Sequence, residues 1–131
     1  MIVGIGIDLE EVGRVEKAIE RWGSRFLERM FTDEEIAYCC GKFHPAHHFA
    51  ARFAAKEAFV KATGLGRNSG FRWRDVSVVN DAAGKPFFRL AGTHDNFQPP
   101  NRIHLSISHI HSHVVAVVVI ERPEDNVESE P

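Results

Sequence analysis

The sequence is poor in cysteine, and its only two thiols, Cys39 and Cys40, are adjacent in the chain. Neighbouring cysteines rarely bond to each other, and one pair cannot build a disulfide framework. The composition therefore excludes the small disulfide-stapled domains. We expect both thiols to be reduced, which is typical of a reducing cellular compartment.

Long apolar runs and a strong excess of one charge are missing as well. No apolar stretch approaches the roughly 20 residues that cross a bilayer, and the first residues lack the basic and apolar regions of a signal peptide. The formal net charge is −2, whereas nucleic-acid-binding proteins carry a strong basic excess. The sequence thus predicts a cytoplasmic protein with neither a membrane nor a nucleic-acid partner.

Motifs of enzymes that carry their own nucleophile are also absent. The chain has no Gly-x-Ser-x-Gly elbow, no Walker loop and no Cys–His constellation. A dinucleotide fingerprint begins at Gly4-Ile5-Gly6, but Leu9 stands where its third glycine belongs. If this protein is an enzyme, its nucleophile can arrive on a partner.

What is present is one domain with a substantial core. The 131 residues are 44% hydrophobic, which suits a single domain; we predict that it spans residues 1–121 and that residues 122–131 form an acidic, disordered tail. The pattern of elements predicts an α+β fold, with helices packed on a mostly antiparallel β-sheet. The predicted order is a strand at 2–8, helices at 10–22, 33–41 and 49–62, and strands at 71–79, 86–90, 103–109 and 113–121.

The first strand alternates between two kinds of face. Val3, Ile5 and Ile7 are predicted to point to the core, which leaves the opposite face with Asp8 and two glycines. Another backbone, an ion or a ligand can approach such a bare face. The alternative is that Asp8 caps the helix that follows.

The segment from Phe49 to Ala62 is the clearest helix, and Gly64 or Gly66 suits its end. Phe49, Phe53 and Val60 fall on one stripe, the expected core face. Glu57 and Lys61 lie on the flank of that stripe, among alanines. They form either an ordinary ion pair on a solvated face or part of a site.

Asp8 and Glu57 suggest a chemistry when taken together. Both are acids on faces stripped to glycine or alanine, and two hard oxygen ligands with room for phosphate and water describe a Mg²⁺ site. Lys61 would lie close enough to neutralise phosphate charge. This set suits phosphoryl-type transfer.

A row of cations occupies one side of the helix predicted at 10–22. Arg14, Lys17 and Arg21 fall together, and Arg25 joins them if the helix continues past Gly23. The row is either a solvated face or a docking surface for an acidic helix.

Histidines cluster at 44–48, in a segment predicted to be a connection, and again at 109–113. Their spacing matches no familiar set of metal ligands, so a zinc site is disfavoured. Two rival hypotheses remain at this point, a non-catalytic module that binds an acidic helix and a His-rich metal-binding protein.

Four blocks of the sequence resemble the holo-acyl-carrier-protein synthases, the small phosphopantetheinyl transferases. The resemblance covers roughly residues 2–121, with the blocks in the family's order and at fitting intervals. They are Gly4-Ile5-Gly6-Ile7-Asp8 with Arg14, the run from Arg52 to Ala62, Gly84-Lys85-Pro86, and the run from His104 to His109.

The resemblance implies a reaction. Members of this family move the phosphopantetheine arm of coenzyme A onto a serine of apo acyl carrier protein, with Mg²⁺, and release adenosine 3′,5′-bisphosphate. By resemblance, Asp8 and Glu57 hold the metal, and either Glu57 or a metal-bound water accepts the serine proton. Lys61 meets the phosphates and assists departure of the nucleotide.

The resemblance also implies binding residues for both substrates. Coenzyme A is expected to meet Arg52, Lys61, the turn Gly84-Lys85-Pro86 and His109. The acidic helix of the carrier protein is expected to meet Arg14, Arg21 and Arg25. The family is typically a homotrimer with active sites between subunits, a symmetry that the residues alone do not predict.

Overall fold

A computed structural model describes residues 1–65, 70–91 and 101–124. The α+β prediction is confirmed, with four α-helices and five strands in the described part of the chain. Residues 125–131, most of the predicted acidic tail, lie outside the described residues. In chain order the elements are β1 (Ile2–Glu11), α1 (Val12–Trp22), α2 (Ser24–Met30), α3 (Asp33–Cys40), α4 (Pro45–Thr63), β2 (Val76–Asn80), β3 (Pro86–Leu90), β4 (Arg102–His109) and β5 (His113–Glu121).

The strands form two antiparallel sheets. The larger has the order β1-β5-β4, and the smaller pairs β2 with β3. The predicted bounds of β3 and β5 are confirmed, as is the antiparallel pairing of β4 with β5. The strand predicted at 71–79 begins only at Val76, because residues Trp73–Asp75 form a turn of 3₁₀-helix.

Helix α4 crosses β1 at very short range, which explains the glycines of that strand. A Cβ atom added to Gly4 would lie 2.0 Å from the carbonyl oxygen of Ala62, and one added to Gly6 would lie 1.9 Å from that of Ala58. No side chain larger than hydrogen fits there, and small residues on both elements let the two backbones touch. The expectation that another backbone approaches this face is confirmed.

The prediction that Val3, Ile5 and Ile7 face the core is wrong. Ile5, Ile7 and Leu9 are 62%, 58% and 65% exposed, while Gly6 and Asp8 are buried against α4. Alternation gave the two faces correctly but assigned the wrong one to the core. The core contact is made by backbone and glycine, which hydropathy does not register.

Helix α4 lies at the centre of the molecule and is longer than predicted. It begins at Pro45, a residue favoured in the first helical turn because it needs no N–H partner there, and ends at Gly64 in the left-handed conformation. Residues 45–48 are therefore helix, and their prediction as a connection is wrong. Neither α4 nor any other described helix is long and apolar enough to span a bilayer.

The core stripe predicted for α4 is too narrow. Phe49 is fully buried, but Phe53 and Val60 are only partly so, and burial continues round the helix to Ala50, Ala54 and Phe59. The helix packs against the large sheet on one side and against α3 and β2 on the others. A helix enclosed in this way has no single apolar face for periodicity to find.

The helical region predicted at 10–22 has different ends. Strand β1 continues to Glu11, and α1 begins at Val12. Gly23 then breaks the helix with φ of +55°, and α2 begins at Ser24. Arg25 therefore belongs to α2 and does not continue the row of α1.

Candidate active site

The carboxylate of Asp8 lies in the contact between β1 and α4. Its side chain is 9% exposed, and its Oδ1 accepts a hydrogen bond from Lys61 Nζ at 3.1 Å. Lys61 Nζ also donates to the carbonyl oxygen of Ile7 at 3.1 Å. Asp8 Oδ2 is buried and receives no hydrogen bond from any residue that the structure describes. A buried carboxylate oxygen without a donor is a place where a cation can bind.

The alternative interpretation of Asp8 as a helix cap is wrong. Asp8 lies within β1, three residues before Glu11, the residue that precedes α1, and no side-chain capping bond is present there. Lys61 does not form the ordinary pair with Glu57 either, since its described partner is Asp8. Lys61 of α4 is instead directed at β1, where it pairs with Asp8.

Glu57 faces the same place from the helix. Burial raises its pKa above the ordinary value, the nearby Asp8 raises it further, and Lys61 lowers it. The structure therefore brings together the three residues that the sequence predicted at the reacting centre. A carboxylate whose pKa is raised holds a proton more readily than one in water, which is a property of a general base.

Glu10 is a third acid at this place, and the sequence reasoning missed it. Its pKa is raised to about 8, first by burial, then by the neighbouring side chain and charge of Asp8 and by the charge of Glu57, with Arg14 opposing. Residues 8 and 10 share one face because β1 does not end at Asp8. A strand prediction extended to Glu11 would have found it.

The acids are suited to bind a divalent cation that takes its remaining ligands from water or from a substrate. Carboxylate oxygens are the ligands that Mg²⁺ prefers, and it usually keeps several waters or substrate phosphates. Within the described ranges, no three His, Cys, Asp or Glu side chains form a complete metal centre. The buried oxygen of Asp8 and the nearby Glu57 are suited to such a shared site, although their role as ligands stays a prediction.

A second group of predicted site residues lies on the other side of α4. Arg52 is 4% exposed, and its Nη2 donates to Asn80 Oδ1 at 2.9 Å. Asn80 Nδ2 in turn donates to the carbonyl oxygen of Gly84 at 3.0 Å. Arg52 is thus tied to the turn that leads through Lys85 into Pro86, the first residue of β3. Asn80 is a connecting residue that the sequence reasoning did not name.

His109 joins this second group from the end of β4. It is exposed, and it contributes to lowering the pKa of His48 in the first turn of α4. The predicted residues for coenzyme A are therefore assembled around the N-terminal half of α4, with the exception of Lys61. Their binding role itself stays a prediction.

The predicted docking residues are exposed, as a docking surface requires. Arg14, Lys17 and Arg21 lie on α1, and Arg25 lies on α2. Beside them is a cleft of about 390 Å³ that runs toward the acids. It is lined by Leu9, Glu10, Arg14, Val15, Ala18, Phe26 and Phe53.

A buried ion pair joins α4 to α3. Lys56 Nζ lies 2.5 Å from Glu35 Oε1, and both side chains are fully buried. Glu35 also forms a capping box with Thr32 at the start of α3 and accepts a hydrogen bond from Val78 N at 2.9 Å. Lys56 further donates to the carbonyl oxygens of Met30 and Trp73. A helix-start pattern in the sequence does not reveal a distant partner such as Lys56.

Comparison with known proteins places this geometry in a family. Residues 4–118 match the model of the 4′-phosphopantetheinyl transferase superfamily. A holo-[acyl-carrier-protein] synthase of Geobacter metallireducens is 49% identical over 125 residues, which cover 93% of this chain and 99% of that protein. One of Geobacter sulfurreducens is 45% identical, over 94% and 100%.

Solved structures agree. The synthase of Neisseria meningitidis has a TM-score of 0.84 at 35% identity and covers 93% of this chain and 100% of its own. That of Bacillus anthracis, a complex with CoA (3′,5′-ADP), has a TM-score of 0.78 at 39% identity, over 94% and 99%. The chain therefore belongs to the 4′-phosphopantetheinyl transferase superfamily, and within it to the holo-[acyl-carrier-protein] synthases. It is an enzyme, so the hypotheses of a non-catalytic helix-binding module and of a His-rich metal-binding protein are wrong.

Proposed function

We propose that this enzyme transfers the 4′-phosphopantetheine group of coenzyme A to a serine of apo acyl carrier protein, in a Mg²⁺-dependent reaction that releases adenosine 3′,5′-bisphosphate. It would thereby support fatty acid biosynthesis, in the cytoplasm. The names of the relatives and the ligand of the Bacillus anthracis structure support the two substrates. The observation that carries the proposal is the convergence of Asp8, Glu57 and Lys61 where β1 crosses α4.

Asp8 and Glu57 are the residues that would hold the metal. Their oxygens are hard ligands, and Asp8 Oδ2 is buried without a donor in the described structure. Mg²⁺, when bound, neutralises charge on the diphosphate of the donor and makes its phosphorus more electrophilic. Lys61, held at Asp8, adds a second positive charge beside it.

The chain would catalyse such a transfer mainly by positioning the reactants and neutralising charge. The serine oxygen forms a bond to the phosphorus that carries pantetheine, and the bond from that phosphorus to the bridging oxygen breaks. The bridging oxygen leaves with the nucleotide, and the ammonium of Lys61 is positioned to stabilise its developing negative charge. The serine proton passes to water or to Glu57, whose raised pKa favours the protonated form.

The carrier protein would dock on the cationic surface formed by Arg14, Arg21 and Arg25. Charge complementarity of this kind speeds the encounter and fixes orientation. The cleft between α1 and the acids begins at Arg14 and contains Glu10. A serine presented along this cleft would reach Asp8 and Glu57 from the docking side.

The geometry of α4 favours a site shared between subunits. Arg52 and Lys61 are nine residues apart, which places them about 13 Å apart along the axis and on roughly opposite sides of the helix. Arg52 is bound to Asn80 of β2, whereas Lys61 is bound to Asp8 of β1. One donor molecule would contact both residues most simply if each came from a different copy of the chain.

The large sheet offers a surface for such an assembly. Its outer face carries Ile5, Ile7 and Leu9, paired across the strands with Val119, Val117 and Val115. A contiguous exposed apolar face of this kind marks an interaction site. We therefore propose that the enzyme assembles through this face, as a homotrimer in line with its family.

Mass spectrometry of apo acyl carrier protein tests the reaction directly. After incubation with coenzyme A, Mg²⁺ and this enzyme, the carrier mass should rise by one phosphopantetheine. The Asp8→Asn and Glu57→Gln variants should each lower the rate by about 10² or more, because each removes a charge from the reacting centre. Adenosine 3′,5′-bisphosphate should appear in equal amount.

Glu34→Gln is the matched control, since Glu34 is an exposed glutamate that pairs only with Arg89 in the described structure. It should keep the wild-type rate. Unchanged activity in both Asp8→Asn and Glu57→Gln would overturn the assignment of the reacting centre. An unmodified carrier mass with the wild-type enzyme would overturn the reaction itself.

A further inference from the structure

Helix α2 contributes to the docking side of the molecule, yet it is too short to be stable by itself. It has seven residues, Ser24–Met30, whereas isolated helices of fewer than about 12 residues are marginal in water. Arg25 lies on its exposed side, and Phe26 lines the cleft that runs toward the acids. The contacts that position α2 therefore also determine where these two side chains meet a partner.

The N-terminal end of α2 gives it little support. The N-cap is Gly23, which has no side chain to accept a hydrogen bond from the first turn and which has φ of +55°. A glycine at the joint between α1 and α2 also leaves the backbone there conformationally permissive. A short helix that begins in this way depends on the contacts at its other end.

Two cations from other elements bind the C-terminal end of α2. Lys56 of α4 donates to the carbonyl oxygen of Met30, the last residue of α2, at 2.8 Å. Arg74 of the 3₁₀ turn donates through Nη1 to the carbonyl oxygen of Glu28 at 3.0 Å. The last carbonyl groups of a helix lack partners within the helix, and its dipole favours cations at this end. These two contacts therefore both stabilise α2 and locate its end.

Helix α3 fixes both cations in turn. Lys56 is paired with the fully buried Glu35 and also donates to the carbonyl oxygen of Trp73 at 3.1 Å. Its three N–H groups are thus matched by three acceptors, which leaves the buried ammonium one arrangement. Arg74 Nη2 lies 2.6 Å from Asp33 Oδ1. The end of α2 is thereby connected to α3 and α4 through two ion pairs.

We propose that Lys56 and Arg74 are positioning residues for the carrier protein, because the end of α2 that they bind sets the place of Arg25 and Phe26. This inference rests on the proposed function, since it takes the carrier protein as the partner that docks there. Lys56 is fully buried and acts on the carrier only through α2. The residues expected to meet coenzyme A lie outside α2. Loss of these contacts therefore weakens carrier binding and spares coenzyme A binding.

Calorimetry of the full-length enzyme tests this inference. The ligand is an apo carrier protein whose acceptor serine is replaced by alanine, so that binding is measured without transfer. The double variant Glu35→Gln/Lys56→Met removes both buried charges together and leaves neither uncompensated. It should bind this carrier about tenfold more weakly, the size of one charged hydrogen bond, and coenzyme A unchanged. The loss should be similar at low and high salt, because no exposed charge has been removed.

Arg74→Met tests the second contact at a partly exposed residue, where the fold is not at risk. It should weaken carrier binding about threefold and leave coenzyme A binding unchanged. Arg89→Met is the matched control, because Arg89 forms the same kind of pair with Glu34, the residue after Asp33, and in the described structure bonds to α3 rather than α2. It should change neither affinity. If the double variant does not fold, the comparison of these two variants decides.

Three results would overturn the inference. Unchanged carrier binding in either folded variant would show that α2 keeps its place without that contact. Equal losses of carrier and coenzyme A affinity would show that the contacts support the fold as a whole. If Arg25→Glu leaves carrier binding unchanged, the proposed docking surface is wrong and this inference falls with it, although the transfer reaction would still stand.

Discussion

The neighbours of Asp8 on its strand decide what its carboxylate can do. Gly6 lets the backbone of α4 approach, so Asp8 is buried beside a helix that presents Glu57 and Lys61. Lys61 satisfies only one of the two carboxylate oxygens. The chemistry of the site therefore depends on a glycine that takes no part in it.

Residue types in ordered segments were enough to predict that Asp8, Glu57 and Lys61 lie together, because acids and a lysine on faces of glycine and alanine are unusual. Glu10 and Asn80 were beyond the same reasoning. Glu10 required the correct end of β1, and Asn80 required the contact of α4 with β2, which joins residues distant in sequence. Such contacts leave no pattern along a single chain.

Glu10 makes the stability of the metal-free enzyme depend on pH. Its pKa of about 8 in the fold exceeds the ordinary value of 4.5. The folded protein therefore holds this proton more tightly than the unfolded chain, and the stability present below pH 4.5 is lost as the pH rises toward 8. Glu10→Gln, which stays neutral, should raise the Tm at pH 8.5 by about 3–6 °C, a modest gain because the side chain is only half-buried.

Thermal melts in chelator at pH 5 and pH 8.5 measure this effect. The variant and wild type should differ little at pH 5 and more at pH 8.5. Glu11→Gln is the matched control, because Glu11 is the next residue of β1 and is exposed. An equal difference between Glu10→Gln and wild type at both pH values would show that Glu10 does not titrate in this range.

At the scale of the elements, α4 is the part of the fold that both substrates would meet. Its alanines and its flanking glycine predicted the helix. Its start at Pro45 was missed because His47 and His48 in the first turn do not fit an apolar helical pattern. The face of β1 was assigned wrongly for a related reason. Hydropathy places apolar side chains in a core, whereas here the core contact is made by glycine and the apolar side chains point outward.

The buried ion pair of Lys56 and Glu35 joins α4 to α3, and its contribution to stability can be measured. Replacing Lys56 with methionine leaves a buried carboxylate without its counter-charge and leaves two carbonyl oxygens without their donor. Breaking a buried pair in this way costs about 3–5 kcal/mol. Urea unfolding of Lys56→Met should show a free energy of unfolding lower by that amount.

A neighbouring ion pair provides the comparison. Arg89 and Glu34 are both exposed, with Nη1 2.8 Å from Oε2, and exposed pairs contribute only about 0–1 kcal/mol. Arg89→Met should therefore change the free energy of unfolding by less than about 1 kcal/mol. Equal losses in the two variants would show that the Lys56–Glu35 pair is not more important than a surface contact.

At the scale of the whole molecule, the single chain leaves one large apolar surface exposed. The outer face of the large sheet presents Ile5, Ile7 and Leu9 to solvent, with the valines of β5 beside them. A β-sheet normally exposes polar residues on its free face. Together with the opposite placement of Arg52 and Lys61 on α4, this face supports the proposal that the site is complete only in an assembly.

Ile7→Glu tests that conclusion, because it places a charge at the middle of this face. Burying an unpaired charge in an interface is strongly unfavourable, so the variant should be a monomer by sedimentation, whereas wild type should sediment as a trimer. Circular dichroism should be unchanged, since Ile7 is 58% exposed in the single chain. Transfer activity should fall by about 10² or more if the donor must bridge two subunits.

Ile110→Glu introduces the same charge at a residue 66% exposed in the β4–β5 turn, off this face, and should remain a trimer. A fully active Ile7→Glu monomer would show that one chain holds the whole site.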